Sequence, residues 1–153
     1  MQQKRNGFTL IELLVVMSII ALLLALSAFG IVGARESTRD AQRKADLETI
    51  RSALEFYRAD CNKYPTLVTA ASFYGTYGSS FEGSDGGCSA TSTYLSKVPQ
   101  DPKGRNYMYQ TNASGLTYTL CAGLETVTSQ DSTNCGTTSC GSGINCSYGV
   151  TNP

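Results

Sequence analysis

Two sets of side chains in this sequence could do chemistry. The first is Glu12, the one charged residue in GFTLIELLVVMSIIALLLALSAFGIVGA, residues 7–34. A carboxylate inside so apolar a run is costly in a membrane interior and by default marks a function, such as pairing with a cation. The second set is six cysteines: Cys61, Cys88, Cys121, Cys135, Cys140 and Cys146. All follow the apolar run. An even count in a polar, loop-rich region behind such a run points to disulfides in an oxidising compartment. Zinc is the competing reading, but its usual signature is a short Cys knuckle, often with histidine. Here four residues separate Cys135 from Cys140, five separate Cys140 from Cys146, and histidine is absent. The sequence does not choose among the disulfide pairings. Our expectation is Cys61 with Cys88, leaving the last four to staple the C-terminal loops.

Composition narrows the function classes. The chain has 153 residues, with 12 basic and 12 acidic side chains. Without a basic stripe, nucleic-acid binding is not expected. Without histidine the commonest general base is missing, and no nucleophile is spaced against a base. An enzyme is not expected.

Those residues must be positioned by elements. From Phe8 to Ala34 the run is long enough, as a helix, to cross a hydrocarbon core of about 30 Å. Lys4 and Arg5 precede it, which holds the N-terminus in the cytoplasm and sends the remainder outward. The chain thus reads as a single-pass membrane protein. A secretory signal peptide cut near Ala25-Leu26-Ser27 is the alternative. The length of the run and the presence of Glu12 argue against it. Beyond it, Leu47, Ile50, Leu54, Tyr57 and Cys61 recur at spacings of three and four and form one apolar face. Ala34, Ala41 and Ala45 line a thinner face. The charges between them read as a solvated surface or as contacts to neighbouring subunits, with Asp40–Lys44 and Arg51–Glu55 as attractive pairs. One helix is expected from about Phe8 to Ala59, reaching at most Cys61. Asn62 can take a left-handed conformation and Pro65 forbids continuation. Gly30 and Gly33 are where this helix would partly unwind, if it unwinds at all.

Gly7-Phe8-Thr9-Leu10-Ile11-Glu12-Leu13-Leu14-Val15-Val16, behind a short basic leader, resembles the class III signal of type IV pilins and type II secretion pseudopilins. The resemblance implies cleavage between Gly7 and Phe8 by a prepilin peptidase, N-methylation of Phe8, and a role for Glu12 in assembly. Glu12 would neutralise the freed ammonium of Phe8 in a neighbouring subunit, with a pair inside one chain as the duller alternative. Tyr64-Pro65 ends the helix as in that family. Tyr94–Tyr109 resembles the LP-x-DPWGNPY stretch of major pseudopilins, with Lys103 where Trp is usual.

Asp101-Pro102-Lys103-Gly104 reads as a turn. Tyr107–Thr111 and Leu116–Ala122 read as antiparallel strands joined across Asn112–Gly115, packed on the helix face Leu47–Tyr57. Residues 62–93, with Tyr74 and Tyr77, read as a connection. Residues 123–153 read as loops with one short strand at most. The expected fold is α+β and pilin-like, a long N-terminal helix against a small antiparallel sheet with disulfide-stapled loops. The parts are a leader (1–7), a transmembrane or filament-core helix (8–34) and a periplasmic or extracellular head (35–153). The family's major pseudopilins bind calcium in the loop after their central strands. Here only Glu125 and Asp131, with Asp101 earlier, supply carboxylates, so no cofactor is expected, with calcium as the less favoured alternative. The resemblance implies a homo-oligomeric filament built from the membrane by a prepilin peptidase and an inner-membrane assembly platform. We place a type IV pilus subunit first and a type II secretion pseudopilin second. A binding module at a filament tip is the reading from another class.

Overall fold

The computed structural model describes residues 7–66, 71–72, 77–89, 91–127, 129–131, 133–141 and 143–153, without the side chains of 28–32, 71–72 and 85. The basic leader and Tyr74 lie outside the described residues. The chain divides into two compact units after Glu36.

Helix α1 runs from Leu10 to Cys61 and includes Gly30 and Gly33. It ends as the sequence requires. Asn62 has φ 59°, and its N–H donates to the Arg58 carbonyl at 2.8 Å. Pro65 follows three residues later. A four-stranded antiparallel sheet has the order β1-β4-β5-β6, built from Ala71–Ser72, Met108–Thr111, Tyr118–Ala122 and Tyr148–Thr151. Strands β2 (Phe81–Glu82) and β3 (Thr93–Leu95) form a separate antiparallel pair, with a 3-10 turn at Gly83–Gly86 between them. The segment 62–93, expected only to connect helix and sheet, therefore carries strands of its own.

Alternation along β4 and β5 sends side chains to two faces. Tyr107, Tyr109, Tyr118, Leu120 and Ala122 turn toward α1 and pack with Leu47, Ile50, Ala53, Leu54 and Tyr57. Met108 and Cys121, opposite each other in the register, turn the other way and join Cys135, Cys140 and Cys146 in a second small core. The C-terminal loops are short of apolar side chains, so half-cystines supply what covers that face. Cys61 is bonded to Cys88, Cys121 to Cys135 and Cys140 to Cys146.

The main core is rich in tyrosine, and a buried phenol needs a partner for its hydroxyl. Tyr64 donates to Glu55 at 2.9 Å and accepts from Arg58 at 2.9 Å. Tyr118 donates to Glu55 at 3.2 Å, Tyr107 to Asp46 at 2.6 Å, and Tyr109 to the Pro65 carbonyl at 2.8 Å. Sheet, helix end and Tyr64-Pro65 segment are thereby tied together. The β4–β5 turn adds to this tie, because the Tyr64 N–H donates to the Gly115 carbonyl at 2.7 Å. Gly115 has φ +67°, and a Cβ there would stand 2.9 Å from the Tyr64 carbonyl oxygen. Left-handed backbone costs an L-residue about 1–2 kcal/mol. Gly115→Ala is expected to cost at least that much in urea unfolding of the mature chain; an unchanged midpoint would show that the turn relaxes freely.

Candidate functional site

Two groups of residues are candidates for function, one in each unit. At the N-terminus, Phe8 stands 93% exposed, as do the apolar side chains around it to varying degrees. The Glu12 carboxylate turns back on its own helix start. It accepts from the Thr9 N–H at 2.8 Å and the Thr9 hydroxyl at 2.7 Å, while the Glu12 N–H donates to Thr9 Oγ1 at 3.4 Å. This is a capping box, Thr9-x-x-Glu12, which satisfies donors that the first helical turn leaves open. Thr9 was legible in the sequence by that spacing, yet the reading above gave it no part. With Gly7 still attached, the Phe8 nitrogen is a peptide amide. Neither form of the Phe8–Glu12 ion pair exists at this stage. The segment Leu10–Ser27 is long and apolar enough to cross a membrane.

In the head, the charges of α1 are not all solvated. Arg43 is fully buried. Its Nε donates to Asp101 at 2.5 Å, its Nη1 to Asp40 at 2.6 Å, and its Nη2 lies 2.8 Å from Glu125. Arg39 adds a two-pronged contact to Glu125 at 2.7 and 2.5 Å, and Lys103 a third at 2.7 Å. Asp40 accepts from the Glu125 N–H, the Thr126 N–H and the Thr126 hydroxyl at 2.9, 2.9 and 2.6 Å. Asp101 caps its own turn, accepting from the N–H groups of Lys103 and Arg105 at 2.7 and 3.3 Å.

The expected pairs are displaced accordingly. Asp40 pairs with Arg43 rather than Lys44, whose Nζ sits 5.3 Å from the Tyr148 ring centroid. Arg51 pairs with Glu48 at 3.5 Å, while Glu55 serves the tyrosines. The sequence held a signal for this. Positions 40 and 43 continue the stripe of Leu47, Ile50, Leu54 and Tyr57, so a charge there points inward and must find partners.

The electrostatics follow from the contacts. The Arg39 guanidinium, then Lys103 and Arg43, hold the Glu125 carboxyl well below its ordinary range against burial. Burial pushes the Asp101 carboxyl up, and Arg43 with the turn amides more than offsets it, leaving it lowered. For Asp40 burial is likewise overcome, by Thr126, the amides of the 125–126 loop and Arg43. The same contacts decide the question of calcium. That ion takes about six to eight oxygens at roughly 2.3–2.6 Å. Glu125, in the loop after β5, already spends its oxygens on three cationic side chains. Asp131 caps Asn134 at 3.1 and 2.9 Å. Among the described residues, these carboxylates do not fit a calcium ion.

Known proteins agree with this division. The model for the prokaryotic N-terminal methylation motif matches residues 2–28. The model for type II secretion system (T2SS), protein G matches residues 30–134. The chain belongs to the type II secretion protein G family. A type II secretion system core protein G of Aeromonas hydrophila is 34% identical over 118 residues, covering 70% of this chain and 74% of that protein. The core protein G of Klebsiella pneumoniae is 31% identical over 112 residues, 69% of this chain and 74% of its own. That of Pseudomonas aeruginosa is 29% identical over 113 residues, 71% and 75%. No solved structure matches the chain. The match across most of the head favours the secretion pseudopilin, the second expectation above, over the type IV pilus subunit placed first. The N-terminal signal is shared by both, so only the head could separate them. Cys135, Cys140, Cys146 and β6 lie beyond the protein G match.

Proposed function

We propose that this chain is a structural subunit of a type II secretion pseudopilus, made as a membrane-inserted precursor. It is cut between Gly7 and Phe8, methylated on the Phe8 nitrogen, and assembled into a filament of identical chains. Its role is mechanical rather than catalytic. Before assembly, the apolar helix crosses the membrane with its start in the cytoplasm. The head lies on the opposite side, where disulfides persist. The prepilin peptidase and the inner-membrane platform are the partners that this reading requires. The observation that carries it is the protein G match across most of the head.

Glu12 fits this role physically. In the precursor its carboxylate is held by Thr9. After cleavage an ammonium appears on Phe8, and in the dry interior of a helical bundle the attraction between ammonium and carboxylate is strong. Glu12 of one subunit then pairs with Phe8 of the next and sets their register.

The direct test is the intact mass and the N-terminal residue of the mature protein. The expected chain begins at Phe8, carries one added methyl group and is six hydrogen atoms lighter than the reduced form. A chain beginning near Ala28 would make residues 1–27 a discarded signal peptide and leave Glu12 without a role.

A further inference from the structure

We propose that Arg43 is a built-in cation that holds the loop after β5 and the Asp101–Gly104 turn on α1, so that the head folds without a divalent metal. The inference concerns the folding of the head and does not depend on which filament the head joins.

Three observations carry it. First, the three nitrogens of one fully buried guanidinium each face a carboxylate from a different part of the chain. These are Asp40 on α1, Asp101 in the turn and Glu125 in the loop. That is the convergence a hard cation would need, and the guanidinium nitrogens fill it at 2.5–2.8 Å. An ion and Arg43 cannot share it. Second, the charges close. Among the ion-paired residues described, Asp40, Asp101 and Glu125 face Arg39, Arg43 and Lys103, three against three, so the cluster itself carries no net negative charge to attract a metal. Third, Thr126 and the amides of residues 103, 105, 125 and 126 donate further hydrogen bonds to both oxygens of Asp40 and to Asp101 Oδ1. A guanidinium stays charged at any accessible pH and is not removed by a chelator. The clamp therefore works at any metal concentration. Lys103, where the family's stretch usually has Trp, is one of the three cations.

The titrations support the assignment. Arg43 is held in its charged form, burial notwithstanding, by Asp101, Glu125 and Asp40. All three acids have lowered pKa, so their stabilisation is full above the unfolded carboxylate range of about pH 4 and is lost as pH falls below it. Nearby Asp46, raised by burial with Tyr107 bonded to it, runs the other way and blunts the decline.

The experiment uses the mature full-length chain in detergent, unfolded thermally in excess EDTA and in millimolar calcium. The wild type is expected to show one Tm in both. A Tm raised by calcium overturns the proposal. Arg43→Met, similar in length but neutral, is then compared with the wild type from neutral pH to about pH 3. If Arg43 acts through its charge, the Tm gap is widest at neutral pH and narrows as the carboxylates protonate. A gap of constant size at every pH would make Arg43 a packing residue and overturn the proposal. Arg43→Lys keeps the charge and guards against a Met variant that fails to fold. It is expected to keep the acid decline of the wild type and to ignore calcium, and calcium dependence in it would equally overturn the assignment.

Discussion

Glu12→Ala is expected to leave the precursor inserted and cut at Gly7–Phe8, and to remove the chain from filaments. Two effects act in the same direction. Breaking one partner of a buried ion pair costs about 3–5 kcal/mol. At 1.4 kcal/mol per factor of ten, that is roughly two to three and a half orders of magnitude in the affinity of each added subunit. The substitution also makes the membrane a better place to stay. An acid at the centre of a spanning helix costs up to about 3 kcal/mol, less near the edge where Glu12 would sit. Alanine removes that cost and so opposes extraction. Losing the capping box with Thr9 removes about another 1 kcal/mol from the first helical turn. That loss is local and does not threaten an apolar helix of this length. Processed chain in the membrane fraction and none in sheared filaments is the expected result. Filaments of normal number and length would end the assembly role of Glu12.

The elements legible in the sequence were those with a local cause. The core face of α1 repeats at helical spacing, and its end is written in Asn62 and Pro65. The β4–β5 hairpin shows alternation on both sides of a turn with glycine where φ is positive. Strands β1, β2 and β3 were not legible, since two or three residues carry no period. Ala71 pairs with Tyr109, and that register comes from the assembled sheet rather than from local preference. The Arg43 cluster was half legible. Its place on the core stripe was visible, but charged residues on a helix are usually solvated, and its partners lie 58 and 82 positions away along the chain. The capping box at Thr9 was legible in its Thr-x-x-Glu spacing ahead of an apolar run. The family signal at the N-terminus could not rank a pilus above a secretion filament, because the signal is common to both.

The disulfides separate two sources of stability. By chain entropy alone, the cost of losing a cross-link grows with the loop it closes. Cys61–Cys88 spans 27 residues, Cys121–Cys135 spans 14 and Cys140–Cys146 spans 6. The entropic order is therefore about 3.6, 3.0 and 2.2 kcal/mol. Burial changes that order. Cys61 and Cys88 are half-buried at the margin of the main core, which keeps Leu54, Tyr57 and Phe81 whatever happens to them. Cys121 and Cys135 are 2% and 1% exposed in a core that, among the described residues, otherwise holds Met108 and the third disulfide. Replacing them by serine puts two hydroxyls where two buried sulfurs were, and an unsatisfied buried hydroxyl costs about 1–3 kcal/mol. Gly149 leaves no slack, since even a Cβ there would come within 2.6 Å of the Cys135 sulfur. The double replacement at Cys121 and Cys135 is therefore expected to cost about 5–9 kcal/mol, more than that at Cys61 and Cys88 despite the shorter loop. Urea unfolding of the two double variants decides between them. If the Cys61–Cys88 variant proves the weaker, loop closure governs the head and the second core contributes little.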